Sequence, residues 1–477
     1  MIDTCLYSPE PEFAAFGGGA GAGTPVTRTQ AEREIAPAQA AVATGTRVRI
    51  ALAHDWLVGY RGGEAVLEHI ARVVHRHYEV AGLYTMFEDA GAMELFPTPP
   101  TGDRGVRHIA TVRTSFLSDA PGARRMRRWM LPMYPHAIEH LSNQLAADHR
   151  RRPIDLLLST SSAAIKGLKA PEGVPHICYC HSPARYLWSQ AEQYAEGSGG
   201  GLRAIGLQTF GPRLRSWDKT TSENVSVFLA NSTHIQREIS RCYERESLVV
   251  FPPVDTRYFT LPTGYERPIL PHAAVEGLPD APTLQEMFYP PTPHAHGEVG
   301  APPASQRSGW LFAGALEPYK RADLAVRAAT LRGERLCVIG TGSQEKHLRS
   351  LAEQLAIEPG QVRLIGHAPR EEVRRAFQTS RVLVFPQTED FGIVAVEAQA
   401  CGLPVVAYRD GGALDTVIEG ETGVFFDEQT PEAIGAAVER CLALGDIGPA
   451  CRANAERFGV ARFEEEIGEV IERALSG

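Results

Sequence analysis

The chain has 477 residues, a length that predicts two or three hydrophobic cores rather than one. Its composition, 43% hydrophobic and 22% charged, is typical of a soluble globular protein. The net charge of −9 and the pI near 6.0 argue against a nucleic-acid-binding protein, because such proteins usually carry a strongly basic face.

The sequence also bears on the cellular compartment. No apolar run approaches the roughly 18 residues that span a bilayer, and Met1 to Ala20 lacks the basic and apolar regions of a signal peptide. Eight cysteines scattered over this length indicate reduced thiols rather than a disulfide framework. We therefore expect a cytoplasmic protein.

Two stretches of biased composition divide the chain. Residues 1–45 are rich in Gly, Ala and Pro, and because no Gly-Lys-Ser/Thr follows GGGAGAG, the pattern predicts a disordered head and not a P-loop. Residues 261–308 are Pro-rich, which favours a linker or insertion. The predicted domains are therefore 46–260 and 309–456, followed by a closing helix over 457–477.

Short apolar segments alternate with helical patterns on both sides of this insertion. Segments 48–57, 154–162, 176–183 and 226–234 indicate strands in the first half. Segments 310–316, 335–343, 362–369, 381–387, 404–412 and 423–426 indicate strands in the second. Continuously apolar strands separated by helices are typical of parallel sheets buried on both faces. The predicted fold is α/β, with two Rossmann-like domains and a cleft between them.

Ligands of open parallel sheets bind beyond the carboxyl ends of the strands, and a pair of glutamates follows the segment 381–387. Glu389 precedes a helix that begins near Phe391–Gly392, and Glu397 lies two turns inside it. Such a helix N-terminus suits a diphosphate, because its N–H groups are unpaired and its partial charge is positive. Glu397 can accept hydrogen bonds from two ribose hydroxyls. The alternative is that both glutamates are simply solvated.

The wording around these glutamates, Glu389-Asp390-Phe391-Gly392-Ile393 and then Glu397-Ala-Gln-Ala-Cys-Gly-Leu-Pro, resembles the E-x7-E signature of the large family-four retaining glycosyltransferases of the GT-B fold. Other segments resemble this family in the same order. They are His54-Asp55-Trp56-Leu57 with Gly62-Gly63-Glu64, Asn231-Ser232-Thr233, Phe251-Pro-Pro-Val-Asp255, Leu316-Glu-Pro-Tyr-Lys320-Arg321, Arg409-Asp-Gly-Gly412 and Gly420-Glu-Thr-Gly423. The resemblance covers about 46–260 and 309–477.

The resemblance implies a set of roles for these residues. Glu389 would bind sugar hydroxyls and Glu397 the ribose, while Lys320 and Arg321 would neutralise the donor diphosphate. The remaining donor-binding positions are Gly62 and Gly63 of the first-domain loop and Phe391, Gly392, Ile393 and Val394 at the helix start. The family commonly has Gly-Arg-Leu where this chain has Gly314-Ala315-Leu316, and Arg321 would replace that cation.

A departing diphosphate needs positive charge, and two side-chain cations with a helix N-terminus supply it without a metal. The sequence contains no Asp-x-Asp pair of the kind that holds a metal in sugar transferases of another fold. We therefore expect no metal and no cofactor other than the donor nucleotide sugar. The alternative for Lys320-Arg321 is an exposed basic pair.

His181 follows a predicted buried strand and precedes a proline, which places it at the edge of the cleft. It resembles the family's first-domain histidine, which contacts the transferred sugar. The wording His181-Ser-Pro-Ala-Arg185-Tyr-Leu-Trp188 is similar to the branch that uses GDP-mannose, so Arg185 and Trp188 would shape the sugar pocket. Two alternatives stay open: a hydrogen-bonded core histidine, and a metal site from Cys178, Cys180 and His181.

Segment 122–129 holds four arginines and a tryptophan in a predicted helix. A solvated basic helix is the simpler interpretation. The alternative is docking on anionic lipid, which would place the protein at the inner membrane face beside a lipid-linked acceptor. Members of the resembled family that act on lipid-linked glycans use a basic first-domain surface in this way.

These patterns together predict a retaining transfer of a hexose, with mannose favoured, from a nucleotide diphosphate sugar to a glycan or lipid-linked acceptor. A nucleotide-sugar epimerase and a non-catalytic sugar-binding scaffold are the rival functions. A nicotinamide-dependent dehydrogenase is disfavoured, because no Gly-x-Gly-x-x-Gly follows the first strand. Nucleic acid is not an expected partner.

Overall fold

The structure is a computed structural model that describes residues 47–89, 91–97, 103–120, 130–189, 200–262 and 307–476. The predicted head, most of the Pro-rich insertion and the arginine-rich segment 122–129 lie outside these residues. Within them, no helix combines the length and apolarity needed to cross a bilayer.

The first half forms one parallel sheet of strands in the order β3-β2-β1-β4-β5-β6-β7. In chain order its elements are β1 (Arg49–Leu57), α1 (Gly62–His77), β2 (Glu79–Glu88), β3 (Val112–Thr114), α2 (Tyr134–Arg151), β4 (Leu156–Ser161), β5 (His176–Cys180), α3 (Gly200–Thr221), β6 (Val227–Ala230), α4 (Thr233–Tyr243) and β7 (Ser247–Val249). Strands β4 and β5 are buried throughout, as expected of central strands covered on both faces.

The second half forms another parallel sheet, in the order β10-β9-β8-β11-β12-β13. Its elements are β8 (Trp310–Ala313), α5 (Ala322–Leu331), β9 (Leu336–Ile339), α6 (Glu345–Leu355), β10 (Val362–Gly366), α7 (Arg370–Thr379), β11 (Val382–Phe385), α8 (Ile393–Ala400), β12 (Val405–Tyr408), α9 (Ala413–Thr416), β13 (Gly423–Phe426), α10 (Pro431–Ala443) and α11 (Gly448–Glu456). The predicted α/β fold with two parallel sheets is confirmed.

The chain crosses between the two sheets twice, at adjacent positions. It leaves the first sheet after β7 and passes Val254, whose amide donates to the carbonyl of Phe458 at 2.9 Å. It returns beside this point and forms the last helix, α12 (Val460–Ser476). Phe463, Ile467 and Ile471 of α12 are buried in the core of the first domain. The C-terminal helix therefore packs on the N-terminal sheet.

The strand order of each sheet determines where a ligand-binding crevice lies. In each sheet the winding direction reverses between two neighbouring strands, β1 and β4 in the first and β8 and β11 in the second. Connections leave in opposite directions there, and a crevice opens beyond the carboxyl ends of these strands. The loops that follow β1, β4, β8 and β11 are therefore the natural place for a ligand.

Candidate active site

Lys320 and Glu389 meet at the crevice of the second sheet. Lys320 ends the loop after β8, Glu389 lies in the loop after β11, and the Lys320 ammonium contacts the Glu389 carboxylate. Both side chains are largely buried, with 13% and 17% exposed. A buried pair of this kind is not the exposed basic pair that the sequence left as an alternative for Lys320.

Burial lowers the pKa of the Lys320 ammonium to about 8, and the nearby Arg185 acts in the same direction. The carboxylate of Asp390 opposes this change, because a nearby negative charge favours the charged amine. Arg321 follows Lys320 in the chain and has a left-handed backbone (φ 53°). Its guanidinium contacts Asp323 at 3.2 Å and donates to the Gln429 side chain at 3.2 Å.

The helix that follows Glu389 begins at Ile393, close to the predicted start. Gly392 precedes it in a left-handed conformation (φ 93°), which favours glycine, and the Phe385 ring lies where a Cβ would point. Val394 is the second residue of the helix, and Phe391 packs between Phe251 and Phe458. The helix N-terminus therefore opens toward the crevice beside Lys320 and Glu389.

Two glycines support the loop from the neighbouring strand. A Cβ on Gly411 would overlap the carbonyl oxygen of Glu389, and one on Gly412 would overlap the Cα and the carbonyl of Phe391. The Gly412 amide donates to the Glu389 carbonyl at 2.8 Å, and Thr388 donates to Asp410 at 2.9 Å. The turn Asp410-Gly-Gly412 thus packs directly beneath the loop that carries Glu389.

Glu397 lies on the second turn of α8, away from the Lys320–Glu389 pair. Burial raises the pKa of its carboxyl to about 7; Arg370 opposes this shift and Asp255 adds to it. Arg370 and Asp255 form an ion pair at 2.9 Å near the chain crossover. Glu397 is therefore a carboxyl whose charge changes near neutral pH.

The crevice of the first sheet is built around a buried aspartate. Asp55, at the end of β1, accepts hydrogen bonds from four consecutive backbone amides, those of residues 162–165 after β4, at 2.6–2.9 Å. Both oxygens of its carboxylate accept hydrogen bonds from this loop and hold it in place. Asp55 belongs to the segment that resembles the family's donor loop, and in the structure its role is to hold the backbone of residues 162–165.

His54 and Glu64 lie next to this loop. The His54 ring is 2.6 Å from the Thr160 hydroxyl and 3.9 Å from the Glu64 carboxylate. Burial favours a higher pKa for Glu64, but its contacts with His54 and the amide of Arg61 bring the pKa below the ordinary value. Glu64 thereby caps the N-terminus of α1 and fixes the position of Gly62 and Gly63.

His181 follows β5, and its amide donates to the Ser161 carbonyl at 2.7 Å. Its Nε2 is buried and has no hydrogen-bond partner in the part of the chain that the structure describes. Burial lowers the pKa of His181 to about 3, and His54 adds to this effect, so the ring is neutral at physiological pH. The geometry differs from a hydrogen-bonded core histidine such as His176, whose two ring nitrogens lie 2.7 Å and 3.2 Å from Ser159 and Asn224.

The two halves of the site touch through the glycines of α1. A Cβ on Gly63 would lie 3.5 Å from Nε2 of His181, and one on Gly62 would lie 3.2 Å from Cδ1 of Ile393. Arg185, four residues after His181, forms an ion pair with Asp390, the neighbour of Glu389. The structure therefore places Gly62 and Arg185 of the first domain against Ile393 and Asp390 of the second, and Gly63 beside His181.

A buried charged cluster holds the His181 loop from behind. Trp188 donates from its indole nitrogen to Asp218 at 2.7 Å, and Asp218 pairs with Lys166 at 2.9 Å. Tyr243 donates to the same Asp218 carboxylate at 3.0 Å. These partners compensate the desolvation of both charges. Trp188 therefore anchors the loop to α3 and does not face the cleft through its indole N–H.

Neither cysteine of the proposed metal site is suited to a metal. Cys178 and Cys180 pack in an apolar cluster with Phe228 and Ile235, and burial raises the pKa of the Cys178 thiol to about 12. Among residues 47–262 and 307–476, as far as they are described, no group of three His, Cys, Asp or Glu side chains is arranged to hold a metal ion. That the reaction needs no metal stays a prediction.

With this geometry in place, the fold can be compared with solved structures. Sucrose-phosphate synthase from Thermosynechococcus elongatus has a TM-score of 0.60 at 16% identity, covering 89% of this chain and 98% of that one. Anabaena Alr3699/HepE in complex with UDP has a TM-score of 0.58 at 14% identity, covering 89% and 100%. At these identities the likeness shows the fold alone, and it confirms the predicted GT-B arrangement.

The sequence comparisons concern mainly the second domain. Residues 304–458, which hold Lys320, Glu389 and Glu397, match the sequence model of the family Glycosyl transferases group 1. D-inositol 3-phosphate glycosyltransferase 2 from Catenulispora acidiphila is 32% identical over 200 residues, 38% of this chain and 46% of that protein. The enzyme from Corynebacterium urealyticum is 30% identical over 236 residues, 46% and 55% respectively. The chain thus spans about half the length of these relatives.

Sequence reasoning missed the residues that join the two domains. Asp390 lies inside the E-x7-E motif, but the sequence indicated no role for it, and it indicated none for Asp415. The Thr233 amide and hydroxyl both donate to the Asp415 carboxylate at 2.8 Å. The signal that was available is Ser232-Thr233 before a helical pattern, which predicts a helix start but not a partner from another domain.

Proposed function

We propose that this protein is a glycosyltransferase that moves a hexose from a nucleoside diphosphate sugar to a glycan or lipid-linked acceptor, with retention of the anomeric configuration. The observation that carries the proposal is the contact of the α1 glycines with His181 on one side and with Ile393 on the other. Through these two glycines, the buried His181 Nε2, which has no hydrogen-bond partner within the described residues, is linked to the residue that begins α8.

The chemistry follows from the charges. As the glycosidic bond breaks, the sugar becomes oxocarbenium-like and the diphosphate gains negative charge. Lys320, Arg321 and the N–H groups of α8 would stabilise that charge. Glu389 would bind the sugar hydroxyls, Glu397 the ribose, and His181 would donate or accept one hydrogen bond with the sugar. The leaving oxygen would take the acceptor proton on the same face, so no protein nucleophile is needed.

For the donor we propose a guanosine diphosphate hexose, with mannose as the sugar, on the wording of the segment from His181 to Trp188. The similar proteins widen the choice. Anabaena Alr3699/HepE was solved with UDP and with UDP-glucose, and the matched relatives are named D-inositol 3-phosphate glycosyltransferases. The panel of donors therefore includes GDP-mannose and UDP-glucose, and the panel of acceptors includes inositol 3-phosphate.

The test is incubation of the full chain with each donor, without acceptor, and separation of the products. A glycosyltransferase releases nucleoside diphosphate and sugar slowly, and faster with the right acceptor. An epimerase returns a nucleotide sugar of changed configuration without releasing nucleoside diphosphate. A sugar-binding scaffold binds the donor but does not turn it over. Either of these two outcomes would contradict the proposal.

Contact with an anionic membrane through Arg124, Arg125, Arg127 and Arg128 is a separate proposal. Each basic residue near an anionic surface adds about 1 kcal/mol, and the attraction weakens with salt because charges are screened over about 8–10 Å. Replacing the four arginines by serine should abolish sedimentation with anionic vesicles and leave donor hydrolysis unchanged. Failure of the parent protein to bind such vesicles at low salt would contradict it.

A further inference from the structure

Three consecutive residues at the start of α4 contact three different parts of the site. Asn231 donates from its side chain to the His181 carbonyl at 3.0 Å. The Ser232 hydroxyl donates to the backbone carbonyl of Asp390, in the loop after β11. Thr233 donates twice to the carboxylate of Asp415, at 2.8 Å each. The turn thus joins the histidine loop of the first domain to the loop after β11 and to the short helix α9 of the second.

The contact with Asp415 is an N-cap supplied by the other domain. A helix N-terminus leaves amides unpaired and carries partial positive charge. Ser232 caps the Ile235 amide of α4 at 3.0 Å, as a local N-cap residue does. The Thr233 amide instead receives its acceptor from Asp415 of α9, 182 residues later. Separation of the two domains would return both groups to water.

A second contact acts on the same loop. The carboxylate of Asp390 pairs with Arg185, while its carbonyl accepts from Ser232. An isolated exposed ion pair contributes little to stability. This pair is only partly exposed, and it shares one residue with the backbone contact, so moving Asp390 breaks both. We call Arg185, Ser232, Thr233, Asp390 and Asp415 the interdomain clasp.

The clasp joins the elements that carry the reacting groups. Arg185 is four residues from His181, and Asp390 is the next residue after Glu389. With the clasp formed, the His181 loop and the Glu389 loop are held at one separation. His181 and Glu389 must act on one substrate, so a small change in their separation lowers turnover. It has less effect on substrate binding, because each domain still makes its own contacts.

We propose that Asp390 and Asp415 are positioning residues that hold the two domains closed over the donor, so that His181 and Glu389 act on the same sugar. This inference rests on the proposed glycosyl transfer, and it deepens that proposal by naming the residues that set domain closure. Neither aspartate touches the substrate in this proposal. Asp390 acts through Arg185 and Ser232, and Asp415 acts through the N-terminus of α4.

The experiment compares Asp415→Ala with Asp415→Asn in the full chain. The alanine variant should lose about tenfold in kcat, as expected from loss of one N-cap contact, with nucleoside diphosphate affinity changed less than about twofold. Its radius of gyration, from small-angle scattering without ligand, should increase. The asparagine variant should stay closer to the parent than the alanine variant, because its amide oxygen accepts from the Thr233 amide and its NH2 group can donate to the Thr233 hydroxyl. Asp427→Ala is the matched control, since Asp427 pairs with Arg409 inside the second domain.

A charge exchange tests the other half of the clasp. Arg185→Asp and Asp390→Arg should each reduce kcat and compactness, and the double variant should recover compactness because the pair is restored with opposite sign. An Asp415→Ala protein as compact and as active as the parent would overturn the inference. So would a double variant no more compact than the single ones. If no donor is turned over by the parent, the proposed function fails, while scattering still decides whether the clasp closes the domains.

Discussion

The ammonium of Lys320 and the carboxylate of Glu389 pair across the point where the second sheet reverses its winding. A donor diphosphate bound at the N-terminus of α8 would compete with Glu389 for this ammonium, and Glu389 would then turn to the sugar hydroxyls. In the absence of a donor, the two side chains therefore compensate each other's charge. A bound donor would offer its diphosphate to Lys320 and its sugar hydroxyls to Glu389.

Lys320→Ala should lower kcat/KM by a factor that corresponds to a loss of about 2–4 kcal/mol of transition-state stabilisation. This loss is comparable to the removal of one oxyanion donor. The assay is donor hydrolysis with and without a chelator, and the chelator should leave the parent's activity intact. Lys346→Ala, an exposed lysine of α6, is the control. Strict metal dependence, or an alanine variant as active as the parent, would contradict this role.

His181→Ala should reduce kcat strongly and leave nucleoside diphosphate affinity almost unchanged. The reason is that Nε2 of His181 lies close to Gly63 of α1, and in the proposed function it would bind the sugar and not the nucleotide. Titration calorimetry and steady-state kinetics measure the two quantities. His176→Ala should instead lower the melting temperature, because it removes the buried hydrogen bond between the His176 ring and the Ser159 hydroxyl. If His181→Ala mainly unfolds, the core-histidine interpretation is the better one.

The value of kcat/KM for the donor should pass through a maximum between about pH 7 and 8. The Glu397 pKa is raised to about 7, so its acceptor form, the carboxylate, is present above that pH. The Lys320 pKa is lowered to about 8, so its cationic form is lost above that pH. Because kcat/KM reports the unliganded enzyme, both groups should appear in the profile.

Two variants assign the limbs of this profile. Glu397→Gln should remove the acidic limb and lower the affinity for the donor. Lys320→Arg should remove the alkaline limb, since arginine stays charged. His181, with its pKa lowered to about 3, should contribute no limb above pH 5. A profile that is flat from pH 6 to 9 would show that neither group controls donor capture.

Gly412→Ala should abolish donor binding, because the new Cβ would overlap the backbone of Phe391 and displace the Glu389 loop. Gly468→Ala is a matched control in α12, where a Cβ meets nothing within 4 Å. That change should raise stability by about 0.5–1 kcal/mol, since alanine is the better helix residue. Thermal unfolding and nucleotide titration of both variants make the comparison. Equal donor affinity in the two would argue against close packing beneath this loop.

Much of the fold was predictable from short-range patterns. Continuous apolar runs such as those of β4 and β11 predicted buried parallel strands, and a glycine before an apolar stretch predicted the start of α8. Three strands of the first sheet were not predicted: β2, and the edge strands β3 and β7, which have three residues each, too few to show a period. The strand ends then placed Lys320, Glu389 and His181 on loops at the cleft, because parallel strands end at one edge.

The partners of these residues could not be predicted in the same way. Asp55 lies near the end of β1, and His181 follows β5. The Asp55 carboxylate accepts hydrogen bonds from four backbone amides, whereas Nε2 of His181 has no partner within the described residues. Arg185 meets Asp390 across 205 residues, and Thr233 meets Asp415 across 182. Local periodicity and helix capping act over a few residues, and they determine where strands and helices begin and end. Contacts across the cleft depend on how two separately folded sheets are placed, and that placement is set by the crossover near Val254 and by the packing of α12 on the first domain.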